Sequence, residues 1–404
     1  MEGGEPMAAM KQLDFFIFAL LLGLFSIIGQ VAVDTFLPAM PAVAAGLGTD
    51  VGAVQMSLAA IFAGAGVGQL IHGPLSDRFG RKPVIMAALA LYVATAIGSS
   101  YSANVEALTA WRFAQGLAIA AGRQLANASA RDLLVGDRLG RILSYTLVVA
   151  AISAIVAPIA AGHLSEAFGW RSVFYYQTGL GILVMVLIGF FFTETLKVKD
   201  LDALSPSGLL RNYREILRNP IFLGYSLLGG ITLAQLSAFH STSPQILIQG
   251  FGLGPATYGY LFAIVMVGHV IGAWLAGRLV VTYGIQSMLL AGMLISLFSA
   301  ISTLIPALAG MRHWSVVILP MALLMVGFSF ALPQAAAAAL TPFPHIAGTA
   351  ASIAGFTQFI AGAATAAVLS RFDHETQVPL AITLIVLSIS GLVLGEILRR
   401  AVRE

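Results

Sequence analysis

The sequence predicts an all-α membrane protein, with twelve transmembrane helices in two six-helix pseudo-repeats around a central cavity. Three observations carry that reading: a composition too apolar for water, a series of span-length apolar stretches, and a match between the two halves of the chain. Of 404 residues, 58% are hydrophobic and 10% are charged, and the mean hydropathy is +0.91. Soluble domains carry about 25% charged residues, so this chain has too few charges to cover a surface facing water. A water-soluble enzyme and a disordered chain are both excluded. The absence of cysteine excludes disulfides, thiolate metal sites and cysteine nucleophiles.

A bilayer core of roughly 30 Å needs about 20 apolar residues per helix. The opening segment MEGGEPMAAMKQLD lacks the basic region and small-residue cleavage site of a removed signal. The first apolar stretch, at about 14–44, is therefore expected to be a retained span. Spans two to six follow at about 51–73, 83–102, 105–128, 140–163 and 171–193. A polar interval at about 194–219 reads as a linker. The remaining six fall at about 221–248, 255–277, 286–307, 313–340, 346–370 and 377–398. Several exceed 20 residues, which implies tilt or extension past the bilayer. The chain thus divides into a six-helix bundle at 1–193, a linker at 194–219 and a second bundle at 220–404.

Charge orients these spans. Sixteen of the 21 lysines and arginines, from Lys11 to Arg403, fall on the side of the N-terminus. Only Arg171, Arg312 and Arg371 face the other side, while Arg112 and Arg123 lie inside span four. By the positive-inside rule both termini are expected in the cytoplasm, and the protein in the cytoplasmic membrane. The basic residues are scattered over short loops, so the net charge of +3 points to the lipid bilayer and away from nucleic acid.

The halves align without gaps at an offset of 204, with Gly64, Gly68, Gly73, Leu75 and Gly80 falling on Gly268, Gly272, Gly277, Leu279 and Gly284. Small residues four apart let helices approach closely in lipid. A glycine at both ends of the following tight loop makes common descent the better explanation. Parallel six-helix repeats form a transporter architecture with its site between the halves, near the midplane.

The loop after span two reads Gly73-Pro-Leu-Ser-Asp77-Arg78-Phe-Gly80-Arg81-Lys82. It resembles the signature G-x-L-x-D-R-x-G-R-[KR] of the major facilitator superfamily. Asp34-Thr-Phe-Leu37-Pro38-Ala-Met-Pro41, Gln69, Arg131-Asp132-Leu133 and Ser243-Pro244 resemble its bicyclomycin/chloramphenicol-resistance branch. The resemblance implies the major facilitator fold, and a proton-driven exporter of small molecules, often drugs, working by alternating access. It also implies that Asp77 and Arg81, with Asp132 as a partner, form a cytoplasmic charge cluster that holds the outward-open state. Gly73, Arg78 and Gly80 belong to the same gating loop. Arg112, followed by Gln115 and Gly116, matches the arginine of span four. The glycine-rich antiporter motif of span five is degenerate here, as Ala157-Pro158-Ile-Ala-Ala161-Gly162. Alanine keeps two of its glycine positions small, and Pro158 is retained.

Ionisable groups inside a bilayer are costly, so they are candidates for function. Asp34 is the only carboxylate deep in any span. Its depth, about ten residues from the outer end of span one, is compatible with that of Arg112. The two are expected to face each other, with proton coupling as one role and a structural ion pair or helix cap as the other. Gln30 lies one turn from Asp34 and is placed to orient its carboxylate. At about 100° per residue, Arg112, Gln115, Arg123 and Asn127 share one arc of about 120°, which is expected to face the central cavity. Arg123 either snorkels to the surface or, with Arg112, suits an anionic or zwitterionic substrate. At an offset of 206, His240 falls where Asp34 stands, and a histidine there is either proton-linked or a hydrogen-bonded fixture. His269, on the glycine-rich face of span eight, reads as packing. Phe36, Tyr145, Phe239, Tyr258, Phe262 and Phe359 are candidates for an aromatic cavity lining, although such residues also pack or face lipid.

No Walker motif, dinucleotide fingerprint or nucleophile elbow stands in a suitable context, and no residues make a metal-site spacing. No enzymatic activity and no cofactor are expected; the energy source is a proton gradient. The expected function is proton-coupled efflux of drug-like or amphipathic molecules by a monomer. The alternative is a dedicated exporter of an endogenous anionic or zwitterionic metabolite, such as a siderophore or peptide-like compound. A non-transporting sensor would be expected to carry a soluble domain, and the longest loop here is about 26 residues.

Overall fold

The computed structural model describes residues 12–372 and 376–401, so Lys11 and Arg403 lie outside the described residues. Apart from short loops, the described chain is helical. In hydrocarbon every backbone polar group needs an internal partner, and helices supply it within one segment. Among the described residues, ten helices are long and apolar enough to cross a membrane. One of them, Pro255–Leu308, is two spans joined at Gly284, where φ is +76°. Val105–Ile119 and Ala121–Leu133 together form another, interrupted at Ala120. Counting both gives twelve spans.

Several helices run past the lengths expected from hydropathy. Span five extends over Gly136–Phe168, and span two over Val51–Phe79. The linker holds an amphipathic helix, Pro206–Leu217, whose Ile216 is fully buried while Leu210 and Leu217 stay exposed. Large apolar side chains such as Leu147, Phe190, Phe298 and Val386 are exposed around the bundle, as a lipid-facing surface requires. Arg171 stacks on Trp170 at one end of the bundle (4.1 Å), and Arg278 on Trp274 at the other (4.0 Å); tryptophans anchor helix ends at membrane interfaces.

The glycines matched between the halves perform matched packing. A Cβ on Gly64 would run into the Phe113 carbonyl of span four, and one on Gly268 into the Ala322 carbonyl of span ten. Gly68 likewise abuts Leu117, and Gly272 abuts Val326. Gly80 and Gly284 both turn the chain with positive φ, +105° and +76°. Spans two and eight thus lie on spans four and ten by the same backbone contact, as two copies of one bundle would.

Between the halves, spans two and eleven run side by side, with Phe62 and Phe359 at 6.3 Å. Span five crosses span eight. The side bearing the basic loops is called here the charged side, and the opposite one the far side. On the far side the halves meet backbone to backbone. A Cβ on Gly259 would come within 2.5 Å of the Pro158 carbonyl, and one on Gly162 would strike the Pro255 carbonyl. A Cβ on Gly52 would meet the Ser370 carbonyl at 2.5 Å. Gln55 of span two, fully buried, donates to the Ser241 carbonyl of span seven at 2.8 Å and to Gln245 Oε1 at 3.2 Å. The far side is therefore packed shut.

Overpacking such a contact costs about 1–3 kcal/mol, and here it props the halves apart. Gly162→Val is expected to expose span seven from the far side. In this cysteine-free chain, a single Ser241→Cys should be protected from a membrane-impermeant maleimide and become labelled when Gly162→Val is added. Equal labelling with and without the valine would contradict the packing described.

Candidate functional site

Pro38 shapes the middle of span one. It has no N–H to return to the Asp34 carbonyl, and the helix breaks after Asp34 into a short 3₁₀ turn, Leu37–Ala39. At the break the Phe36 N–H bonds to the Val33 carbonyl at 3.1 Å, not to that of Ala32. The Ala32 carbonyl is left for another donor, and Arg112 Nη1 takes it at 3.0 Å. Pro244 stands in the same relation to His240 in span seven.

Arg112 is fully buried. Besides Ala32 it donates to Gln115 Oε1 at 2.7 Å, and its guanidinium lies 4.4 Å from the Phe36 ring centroid. Gln115 Nε2 passes the chain on to Gln177 Oε1 of span six at 2.9 Å, and Gln177 Nε2 donates to Thr35 Oγ1 at 2.8 Å. This network closes within the first half. Arg112 Nε and Nη2 and the Tyr92 hydroxyl, all buried, have no hydrogen-bond partner among the described residues.

Asp34 does not face Arg112, contrary to expectation, and the two form no ion pair. Phe36 and the Ala32 carbonyl turn toward Arg112, and Asp34 lies on another face of span one. The Asp34 carboxyl is buried, and the turn that follows it, Leu37–Ala39, packs against span seven of the other half. The Tyr258 hydroxyl is 2.8 Å from Ser243 Oγ. His240 is buried with neither ring nitrogen partnered among the described residues. Its ring lies 5.6 Å from Phe262, which stacks on Phe239 at 5.9 Å and neighbours Tyr258 at 6.0 Å. His240, equivalent in sequence to Asp34, thus stands against the aromatic pair of Phe239 and Phe262 within the second half.

The polar arc of span four is divided. Its far-side part, Arg112 and Gln115, is covered by span one. Toward the charged side Gly122 abuts the Phe25 carbonyl, where a Cβ would lie at 2.9 Å, and Gln124 Nε2 donates to Ser352 Oγ of span eleven at 3.0 Å. Arg123 projects between those two directions, toward the gap between the halves, and its side chain is exposed. Asn127, one turn on, is half-buried. Of the aromatic candidates, Phe36 is core beneath Arg112 and touches Phe174 at 5.9 Å. Tyr145 sits at the charged end of span five beside Phe15, Phe16 and Arg141, away from the centre. Phe359 belongs to the seam of spans two and eleven.

The charged-side cluster is assembled. Arg81 donates to Asp77 Oδ1 at 2.6 Å, to Asp132 Oδ2 at 2.9 Å and to Ser76 Oγ at 2.6 Å. Glu194, outside the expected set, accepts from the Arg81 and Lys82 backbone N–H groups at 2.9 and 3.1 Å and so caps span three. Thr195 donates to Asp132 at 3.0 Å, and Arg78 to the Leu201 carbonyl at 3.2 Å. A Cβ at Gly80 would meet Glu194 at 2.6 Å. Gly73 lies at the seam, where a Cβ would meet Gln124 and Ser352 at 3.2 and 3.4 Å. The cluster's bonds tie spans two, three and four to the start of the linker and do not cross between the halves. They coexist with a far side packed shut. Gln55, Gln177, Glu194 and Thr195 are common polar residues without a motif, intramembrane polarity being the one signal the first two carry, while Thr35 stands inside the Asp34–Pro41 motif.

Two helical bundles packed along one seam and closed on one face have the architecture of a membrane transporter of the alternating-access kind. Residues 15–366 match the Major Facilitator Superfamily, and the chain belongs to it. It is 30% identical over 378 residues to the bicyclomycin resistance protein homolog of Haemophilus influenzae, covering 93% of this chain and 94% of that protein. It is 29% identical over 359 residues to multidrug resistance protein D of Escherichia coli (88% and 89% covered) and 27% identical over 336 residues to a chloramphenicol resistance protein of Pseudomonas aeruginosa (83% and 79%). These relatives place it in the bicyclomycin/chloramphenicol-resistance branch. Its fold matches the crystal structure of a D-xylose–proton symporter with a TM-score of 0.75 at 15% identity, over 95% of this chain and 97% of that one.

The cluster predicts unequal roles for its two acids. The Asp132 side chain is 17% exposed and pairs with Arg81 through both oxygens, whereas Asp77 is 46% exposed. Asp132→Asn should cost about 1–3 kcal/mol, and Asp77→Asn about 0–1 kcal/mol. Thermal unfolding of the two purified variants should rank them in that order; the reverse order would contradict the geometry.

Proposed function

We propose that this chain exports drug-like or amphipathic small molecules from the cytoplasm, driven by proton entry, by alternating access across the cytoplasmic membrane. The observation that carries this reading is Asp34. It is the one carboxylate deep in a span, it sits at a helix break, and the turn that follows it packs against span seven of the opposite half. A group so placed senses the relative position of the halves directly. Facing the far side, Asp34 takes up a proton and cargo leaves; facing the cytoplasm, it gives up that proton as new cargo binds. The basic loops assign the charged side to the cytoplasm, so the shut far side corresponds to an inward-facing state. The names of the relatives, resistance proteins for bicyclomycin, chloramphenicol and multiple drugs, support antibiotics as cargo.

Arg112 serves this cycle by holding the broken segment of span one, together with Gln115, Gln177 and Thr35. His240 and Gln30 flank the carboxylate region, with Phe239, Tyr258 and Phe262 as its apolar wall. Gly73, Asp77, Arg78, Gly80, Arg81, Asp132 and Pro158 act at the gates. The chain works without a cofactor, as a monomer, and performs no chemical conversion. Export of an endogenous anionic or zwitterionic metabolite is the second reading, favoured by the accessible Arg123.

In proteoliposomes with an imposed pH gradient, Asp34→Asn is expected to abolish gradient-driven transport while cargo binding persists. Retained, gradient-responsive transport would sink the proton-carrier assignment. His240→Gln in the same assay is expected to shift the pH profile; an unchanged profile reduces His240 to packing.

A further inference from the structure

The linker between the halves is held at both ends. At its start the Asp200 N–H donates to the Asp77 carbonyl at 3.0 Å, and Arg78 reaches the Leu201 carbonyl at 3.2 Å. At its end the helix Pro206–Leu217 packs on the second half. Ile216 is buried in a cluster with Phe222, Tyr225 and Leu398, and Tyr213 packs against the same cluster. Glu215 lies 3.1 Å from His345 of the loop before span eleven. One face of this helix is therefore occupied by protein. Span seven opens at Pro220, only three residues after Leu217. So short a tether reaches about 11 Å at most, which keeps the helix at the membrane surface.

The other faces have no partner, and their residues are sorted by chemistry. At about 100° per residue, Leu210 and Leu217 lie within about 20° of each other; they are 71% and 48% exposed. Arg211, Arg214 and Arg218 fill the adjoining arc of about 60°, on the side away from Ile216, and all three are exposed. None of them makes an ion pair among the described residues. Single exposed leucines are ordinary on a soluble surface. Two aligned leucines beside three aligned cations, on a helix held at the bilayer, form the pattern of an interfacial helix.

We propose that the linker helix Pro206–Leu217 is a binding surface for anionic phospholipid of the leaflet on the charged side. Leu210 and Leu217 seat among the acyl chains, and Arg211, Arg214 and Arg218 take headgroup phosphates. Guanidinium meets phosphate through two parallel hydrogen bonds, and the negative potential of a cytoplasmic leaflet attracts basic segments at its surface. The positive-inside rule places the helix on that leaflet. Because the same linker is bonded to the gating loop at Asp77 and Arg78, lipid anchors the one stretch of chain that joins the two halves.

The test uses the full-length chain, in which Leu210→Cys supplies a single thiol for a nitrobenzoxadiazole dye. The labelled chain is placed in nanodiscs of phosphatidylcholine with or without phosphatidylglycerol, each containing phosphatidylcholine with a nitroxide near the headgroup. Both leaflets of such a disc share one composition, so the readout depends neither on orientation nor on transport. Quenching of the dye is expected to be at least about twofold stronger with phosphatidylglycerol. Arg211→Gln, Arg214→Gln and Arg218→Gln together should remove that difference, and the corresponding lysine substitutions should keep part of it. The glutamines break no ion pair, so thermal unfolding at the wild-type temperature is expected and shows that the variant is folded. Equal quenching in both discs, or a difference that survives the glutamines, would overturn the anionic-lipid surface. Absence of quenching in either disc would leave the arginines to a soluble acidic partner and overturn it as well.

Discussion

The shut face of this protein depends on backbone meeting backbone. Gly162 against Pro255, Gly259 against Pro158 and Gly52 against Ser370 leave no room for a Cβ. The degenerate antiporter motif of span five is tolerated for this reason. Ala157 and Ala161 are fully buried small residues, and the one motif position that meets a carbonyl head-on keeps its glycine. Seals of this kind are made of van der Waals contact and a few hydrogen bonds, such as that of Gln55 to the Ser241 carbonyl. In lipid such contacts contribute modestly, so they can close firmly and still release. A seal of buried ion pairs would impose a larger desolvation cost on every cycle.

Prolines stand four positions after both candidate residues, and in span one the helix breaks there. Pro38 and Pro244 each deprive the residue four positions earlier, Asp34 or His240, of a helical donor at its carbonyl. In span one the disturbance also frees the Ala32 carbonyl, and Arg112 fills it. The buried cation and the buried carboxyl are thereby kept apart. Were Arg112 paired to Asp34, each proton uptake would leave a fully buried cation without its partner. With Arg112 held by neutral oxygens, Asp34 can change its charge without unmaking the first half.

Much of this architecture was legible in the sequence. Span count followed from hydropathy because a bilayer sets one length for all helices, and Gly64–Gly80 against Gly268–Gly284 showed two copies of one packing scheme. The loop motif located the Arg81–Asp77–Asp132 cluster, since its residues are close in the chain or named by a shared signature. Contacts across the bundle were not legible. Periodicity placed Arg112 and Arg123 on one arc, but only the path of span one decides that one is covered and the other is not. The same limit explains Asp34, whose depth matched Arg112 while its face did not. Glu194, beyond the last apolar residue of span six, reads as a loop charge until the fold brings it to the start of span three.

The proposed cycle requires reciprocity: the far side opens as the charged side closes, with Asp34 coupling the two. Spin labels at Thr49 and Arg371 report the far side, and labels at Arg131 and His345 the charged side. Measured by double electron–electron resonance in nanodiscs, the two distances should change in opposite senses between alkaline and acidic buffer, and Asp34→Asn should remove the response. Distances that stay fixed, or that lengthen together in the wild type, would contradict alternating access governed by this carboxylate.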